Sequence, residues 1–323
     1  MTIAPAPDAQ SILDRLAAQQ AMTVPPDHLR GTGEWVAQYR DGLLGMADFS
    51  GPPQPVFVVQ THRADGPDGP LDLRLYRPAP GITGAIVFLH GGGLIAGSLE
   101  THDPALRALA NASGWVVVAV NYRLAPEYPF PAAPEDAYAA LCHVAAHTDT
   151  LGVDATRLVL MGDSAGGTLA AAAALMARDR RGPSLAGLTC LYPNTDLRPG
   201  QYYGSRGEYD GVVVKLDELF RGLALYLPPG CDPAHPYASP LLADLGGLPP
   251  ALIATCECDP LRDEGEAFAA ALRAAGGVVK GDRLPAMIHG ALQMAADTEG
   301  GRHLMDVIVR WLNGLATRPA AAR

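Results

Sequence analysis

A serine hydroxyl becomes a useful nucleophile when a sharp turn lifts it clear of the backbone and a base stands ready to take its proton. Gly162-Asp163-Ser164-Ala165-Gly166 has the composition for such a turn: an apolar, strand-like run at 157–161 precedes it, and an alanine-rich helical run, 165–178, follows. The N-terminus of that helix favours negative charge beside the serine. A second glycine cluster, His90-Gly91-Gly92-Gly93, follows another apolar run at 85–89. Successive glycines reach conformations closed to other residues, so their N–H groups can converge on one point instead of entering a ladder. Gly91 and Gly92, joined by the N–H of Ala165, are therefore the expected donors to a carbonyl oxygen gaining charge under attack, with Gly93 open as a further one. Each such donor is worth about 2.7 to 4 kcal/mol. His90, just before the loop, is expected to hold it by hydrogen bonding rather than to act as a base.

The serine needs a base, and the base needs a carboxylate to orient it. Where the nucleophile sits in a G-x-S-x-G turn, acid and base follow it along the chain. That leaves His235, His289 and His303. His303 falls in a C-terminal helical pattern and His235 in a long connection. His289 follows a strand-like run at 278–284 and precedes Gly290, which is how a residue reaches the C-terminal edge of a sheet. Asp259 stands in the same relation to the run at 251–256, within Cys258-Asp259-Pro260-Leu261-Arg262-Asp263. Its neighbour Asp263 reads as the N-cap of a helix over 264–275. Ser164, Asp259 and His289 are thus the candidate catalytic residues.

Elements able to carry them are legible along the chain. Runs at 56–61 and 71–77 flank Asp65-Gly66-Pro67-Asp68-Gly69-Pro70 and predict an antiparallel hairpin. The continuous apolar runs at 85–89, 115–120, 157–161, 187–191 and 251–256 predict strands buried on both faces of a mostly parallel sheet. Helical stretches separate them, one over 105–112 with Asp103 as N-cap, Pro104 as its first residue and Gly114 as its stop, another over 134–148. The alternation predicts an α/β fold with helices on both faces. Two segments fall outside the rhythm: residues 1–50, helix-prone and ahead of any strand, and the long connection 192–250, which holds an amphipathic stretch at 216–227. Both are expected to build a helical cap over the active face. The division is then 1–50 as the N-terminal part of the cap and 51–323 as the catalytic domain, with a cap insertion at about 198–232.

Composition narrows the partners. With 34 acidic against 24 basic side chains the net charge is −10, the wrong sign for a phosphate backbone. No apolar run approaches the length of a bilayer crossing, and the N-terminus lacks a basic and apolar leader, so neither membrane insertion nor export is expected. Five cysteines without a C-x-x-C pair suit a reducing, cytoplasmic setting, and Cys256 and Cys258 read as small buried residues. His143 and His147 stand one helical turn apart without an intervening glutamate and read as a solvated face rather than a metal site. Gly31-Thr32-Gly33 lacks the third glycine of a dinucleotide fingerprint and reads as a cap turn. No cofactor or metal is expected.

Several of these stretches carry a family likeness. His90-Gly91-Gly92-Gly93, Tyr122-Arg123-Leu124-Ala125-Pro126-Glu127, Gly162-Asp163-Ser164-Ala165-Gly166-Gly167, Asp259-Pro260-Leu261-Arg262-Asp263-Glu264-Gly265 and His289-Gly290 resemble the hormone-sensitive-lipase-like branch of the α/β-hydrolases, in particular the bacterial family IV carboxylesterases. The resemblance implies the α/β-hydrolase fold with a helical cap, Ser164 as nucleophile, Asp259 as acid, His289 as base, and Gly91, Gly92 and Ala165 as oxyanion donors. It implies an esterase for a small-molecule ester, and a homodimer through a sheet edge is seen among similar proteins. An amidase, lactonase or deacetylase could use the same triad. Plant gibberellin receptors also resemble the family but lose the histidine that this chain keeps as His289. The family often has an aromatic residue after the glycine triplet and after His-Gly; Leu94 and Ala291 stand there instead. No strongly hydrophobic lid is visible, which points to short-to-medium acyl groups.

Overall fold

Strands covered on both faces need no polar side, and the continuous apolar runs accordingly form the middle of one eight-stranded sheet. The structure, a computed structural model, describes residues 2–23 and 33–316. Helices α1 (Pro7–Thr23) and α2 (Gly33–Leu44) precede the hairpin β1 (Val58–Gly66) and β2 (Gly69–Arg77). Then come β3 (Thr83–Leu89), α3 (Leu99–Ser113), β4 (Val116–Val120), α4 (Ala132–Ala146), the short α5 (Thr148–Leu151), β5 (Val153–Asp163), α6 (Ala165–Asp179) and β6 (Gly187–Leu191). The chain continues through α7 (Gly204–Tyr209), α8 (Leu216–Tyr226), β7 (Ala251–Cys258), α9 (Arg262–Ala274), β8 (Val279–Ile288) and α10 (Glu299–Ala316).

The spatial order is β1-β2-β4-β3-β5-β6-β7-β8. The β1–β2 and β2–β4 pairs are antiparallel and all others parallel. Alternate residues of each central strand feed two cores. Val87, Leu89, Val118 and Leu160 pack with α4, α6 and α9 on one face, while Ile86, Phe88, Val117 and Met161 pack with α3 and α10 on the other. Parallel pairing brings the C-terminal ends of β3, β5, β6, β7 and β8 to one edge, and each candidate functional residue lies just beyond the end of β3, β5, β7 or β8.

Three expectations about local structure need correction. Helix α3 begins at Leu99, not after Asp103, because Ser98 caps it: the Ser98 hydroxyl accepts from the Glu100 and Thr101 N–H groups, and Thr101 Oγ1 accepts in return from the Ser98 N–H. Pro104 consequently lies inside the helix. Asp263 is not an N-cap; it sits within the first turn of α9, where it accepts from the Ser205 N–H at 2.8 Å and pairs with Arg262. Strand β8 does not end at 284 but continues to Ile288, beyond a register shift opposite Cys256 and Cys258, so His289 follows the strand directly. Gly31 and Thr32 lie outside the described residues; Gly33 opens α2.

The connection between β6 and β7 is anchored by a buried network. Glu264 accepts from Asn194 Nδ2 at 2.5 Å, from the Thr195 N–H at 2.8 Å, and from Arg206 on α7. Burial pushes the Glu264 carboxyl up to about 7 against the opposing pull of Arg206 and of these hydrogen bonds.

Candidate active site

Ser164 occupies the single residue between β5 and α6, with φ 53° and ψ −124°. A side chain in that region is strained, and the neighbours hold it there. The Ser164 N–H donates to the Leu191 carbonyl at 2.8 Å. Gly162 and Gly166 have no room for a Cβ: one on Gly162 would run into the Gly166 carbonyl, and one on Gly166 into that of Leu89. These contacts explain the motif's glycines by close backbone approach.

The three candidate catalytic residues come together. His289 Nε2 lies 2.9 Å from Ser164 Oγ, and His289 Nδ1 lies 2.7 Å from Asp259 Oδ2. A carboxylate can only accept, so Nδ1 carries the proton and Nε2 presents its lone pair to the serine hydroxyl. Asp259 is fully buried, and its other oxygen accepts from the Leu261 N–H at 2.8 Å. Burial pushes the His289 imidazole down, but the charge of Asp259 and its hydrogen bond outweigh it, and the net direction is above the ordinary histidine value. The Tyr192 ring meets the imidazole edge-on, with centroids 4.8 Å apart, and its hydroxyl accepts from the Leu292 N–H at 3.1 Å. Tyr192 thus braces both His289 and the turn after it.

The glycine loop departs from expectation at one residue. The Gly91 N–H donates to Asp163 Oδ1 at 2.8 Å, a buried bond that takes it away from any substrate oxygen. Gly92 and Gly93 follow with φ of 127° and 63°, and the Gly92 carbonyl accepts from the Ala96 N–H at 2.9 Å. His90 takes the holding role expected of it: Nδ1 donates to the Gly91 carbonyl at 2.8 Å, and the ring stacks on Tyr122 at 4.3 Å. Burial, with His102 adding to it, lowers the His90 imidazole to about 4, which suits a neutral strut. His102 Nε2 stands 3.1 Å from Asp163 Oδ1. Burial raises the Asp163 carboxyl, but His102 and the Gly91 N–H more than offset this and hold it below the usual range. Asp163 and His102 were not singled out in the sequence: Asp163 is the variable residue of the serine motif, and nothing local says that it turns inward.

The other residues weighed for chemistry lie elsewhere. His303 is half-exposed on α10 beside Asp282, and His235 packs edge-on against Phe130 and Tyr237. The His143 and His147 rings stack at 4.1 Å on α4 and its C-terminal residue. Cys256 and Cys258 are buried, as expected.

Helices outside the alternating core reach the site. On α8, a Cβ at Gly222 would lie 3.1 Å from Ile95 Cδ1 and 3.8 Å from the Gly93 carbonyl. Trp35 and Val36 of α2 share a core with Leu94 and Ile95. The Met294 and Met46 methyls lie 3.2 and 3.6 Å from the Cβ position of Gly290. No helix among the described residues is long and apolar enough to cross a membrane.

A mostly parallel sheet with helices on both faces and a hydrogen-bonded Ser–His–Asp line beyond its strand ends defines a hydrolase class. A family model described as alpha/beta hydrolase fold matches residues 86–293, and the chain belongs to that family, in the hormone-sensitive-lipase-like branch indicated by its motifs. The chain is similar to the carboxylesterase NlhH of Mycobacterium tuberculosis, 41% identical over 245 residues, covering 72% of this chain and 75% of that one. It is 35% identical over 306 residues to an ethyl acetate hydrolase of Pseudomonas putida, covering 91% and 93%. A hyperthermophilic esterase from Pyrobaculum calidifontis superimposes with a TM-score of 0.90 at 40% identity, covering 98% of this chain and 100% of that structure.

Proposed function

We propose that this carboxylic ester hydrolase works through an acyl-enzyme in which Ser164 is the nucleophile, His289 the general base and then acid, and Asp259 the group that fixes the imidazole. Ser164 Oγ attacks the ester carbonyl as its proton passes to His289 Nε2. The Gly92, Gly93 and Ala165 N–H groups stabilise the oxyanion, Gly91 being engaged by Asp163. His289 then protonates the departing alkoxide, and water repeats the sequence to release the acid. The observation that carries this reading is the continuous line Asp259 Oδ2, His289 Nδ1, His289 Nε2, Ser164 Oγ, with steps of 2.7 and 2.9 Å. Ser164→Ala is expected to lower kcat on a short p-nitrophenyl ester by about 10⁴-fold or more. A folded variant that keeps its turnover would reject the assignment.

The substrate reading is a short-to-medium acyl ester, bound beneath a cap assembled from residues 1–50 and about 198–232. Supporting the cap are the contacts of α8 with the glycine loop and of Met46 with the His289–Gly290 turn. In favour of a short acyl group are the aliphatic Leu94 and Ala291, both buried, and a relative that bears the name of an ethyl acetate hydrolase. An acyl-chain series of p-nitrophenyl esters tests it: kcat/KM should peak among the short chains and fall for long ones. Five unpaired cysteines are in keeping with a reducing, cytoplasmic setting.

A further inference from the structure

The stretch Tyr122-Arg123-Leu124-Ala125-Pro126-Glu127 has no part in the proton transfers, yet it underlies the loop with the oxyanion donors. Tyr122 Oη donates to the His90 carbonyl at 2.6 Å, and the Ala125 N–H donates to the Leu94 carbonyl at 3.0 Å. These bonds fix the loop where it leaves β3 and just past its last glycine. Arg40 of α2 grips the same assembly from the N-terminal segment. Its Nε donates to the Ile95 carbonyl at 2.7 Å and its Nη2 to the Ala125 carbonyl at 3.0 Å. The two Nη groups also donate to the Glu127 carboxylate, at 2.9 and 2.7 Å.

The ion pair is the lesser part of this arrangement. The Glu127 side chain is 52% exposed and that of Arg40 31%, so water screens their attraction. The two carbonyl bonds are specific: one rigid planar guanidinium ties the end of the glycine loop to the backbone beneath it, a fork that an ammonium on a flexible stem cannot reproduce. Such a tie matters because the loop's own bonds hold Gly92 against Ala96 but leave Gly93 without close packing. Gly92 and Gly93 sit at positive φ, and around Gly93 no atom comes within 4 Å of a Cβ position. Backbone donors help catalysis only when held in place before the charge develops.

We propose that Arg40 is a positioning residue for the oxyanion donors, aiming the Gly92 and Gly93 N–H groups by its grip on the Ile95 and Ala125 carbonyls. A helix of the N-terminal segment then contributes to the chemical step itself, besides enclosing the substrate. The inference rests on the reading of Gly92, Gly93 and Ala165 as the donors.

The test pairs a short p-nitrophenyl ester with its thionoester, in which C=S replaces C=O. Sulfur accepts hydrogen bonds weakly, so donors aimed at oxygen make the enzyme favour the ester more than hydroxide does in free solution. Arg40→Met keeps an apolar stem and removes every bond of the guanidinium; kcat on the ester is expected to fall about 10- to 100-fold. The thionoester should lose far less, narrowing the ester-to-thionoester ratio, with KM changing less than about threefold. Glu127→Gln, which leaves both carbonyl bonds, should keep the wild-type ratio. A wild-type ratio no larger than that of hydroxide would overturn the donor reading. A large wild-type ratio that survives unchanged in Arg40→Met, or a loss confined to KM, would overturn the role of Arg40 alone. If Arg40→Met does not fold, Arg40→Lys carries the same comparison: a narrowed ratio supports the proposal and an unchanged one rejects it.

Discussion

The turn around Ser164 and the helices α2 and α8 both border the same site, but they are built by different means. At the turn and the glycine loop beside it, backbone touches backbone: Gly162 against Gly166, Gly166 against Leu89, and Gly92 against Ala96, each without space for one carbon. At the helices side chains make the approach: Trp35 and Val36 share a core with Leu94 and Ile95, and Arg40 reaches the Ile95 and Ala125 carbonyls. Around Gly93 there is open space, and the Gly290 Cβ position meets only flexible methionine methyls. The contrast teaches which positions tolerate change. The turn of Ser164 and the position of Gly92 are fixed where no atom can be added, whereas Gly93 and the Gly290 turn stand where a neighbour can give way.

The sharpest way to probe the rigid side is to change one atom of the acid. Asp259→Asn keeps shape and volume but offers His289 Nδ1 an amide in place of a charge, favouring the wrong tautomer. By analogy with other triads the expected loss in kcat is about 10⁴-fold with little change in KM. Its pH profile adds a second reading. With His289 as the proposed base, activity requires its neutral form, so kcat/KM is expected to fall as pH drops through the imidazole pKa; because Asp259 raises that pKa, the acid limb should lie above 6.5 in the wild type. In Asp259→Asn it should move to lower pH. Stability runs the other way: a histidine whose folded pKa is raised contributes its full stabilisation below about 6.5 and loses it as pH rises through the folded value. Denaturation midpoints at pH 5.5 and 8.5, wild type against Asp259→Asn, would read this directly.

Next in size is the comparison within the glycine loop. Gly92→Ala would drive a methyl into the Ala96 carbonyl, so the loop must move, and kcat should fall by about 10²-fold or more. Gly93→Ala meets no neighbour, and its φ of 63° is close to the 66° that Leu94 already adopts. The cost there is about 1 kcal/mol of backbone strain with catalysis largely kept. Equal losses in the two variants would show that positive φ, rather than close approach, governs the loop.

The same contrast explains what the sequence could reveal. Apolar runs announced the central strands because burial on both faces removes every polar position, and the Ser164, Asp259 and His289 positions followed from where those runs end. The far end of β8 was hidden by Pro285, which reads as a break although the strand continues to Ile288. The start of α3 was hidden because Thr101 rather than a glutamate or glutamine completes the capping box of Ser98. Gly91 was assigned to the oxyanion because three glycines look alike in one dimension. What separates it from Gly92 is the inward turn of Asp163, 72 residues away, and no local pattern encodes such a contact. Arg40 was invisible for the same reason, since its carbonyl partners lie 55 and 85 residues on.

The smallest expected effect belongs to the adaptable side. Met46 ends near Gly290 and is itself partly exposed, so trimming it removes a wall without disturbing a backbone contact. Met46→Ala should leave kcat on an acetyl ester within about threefold of wild type, because none of the proton-transfer geometry depends on a methionine methyl. It should, however, shift the optimum of the acyl-chain series toward longer chains, each added methylene gaining up to about 0.8 kcal/mol when the vacated space buries it. An unchanged chain-length profile would place Met46 outside the acyl site. A loss on the acetyl ester as large as that of Gly92→Ala would erase the distinction itself, since a side-chain contact would then be as unforgiving as backbone packed on backbone.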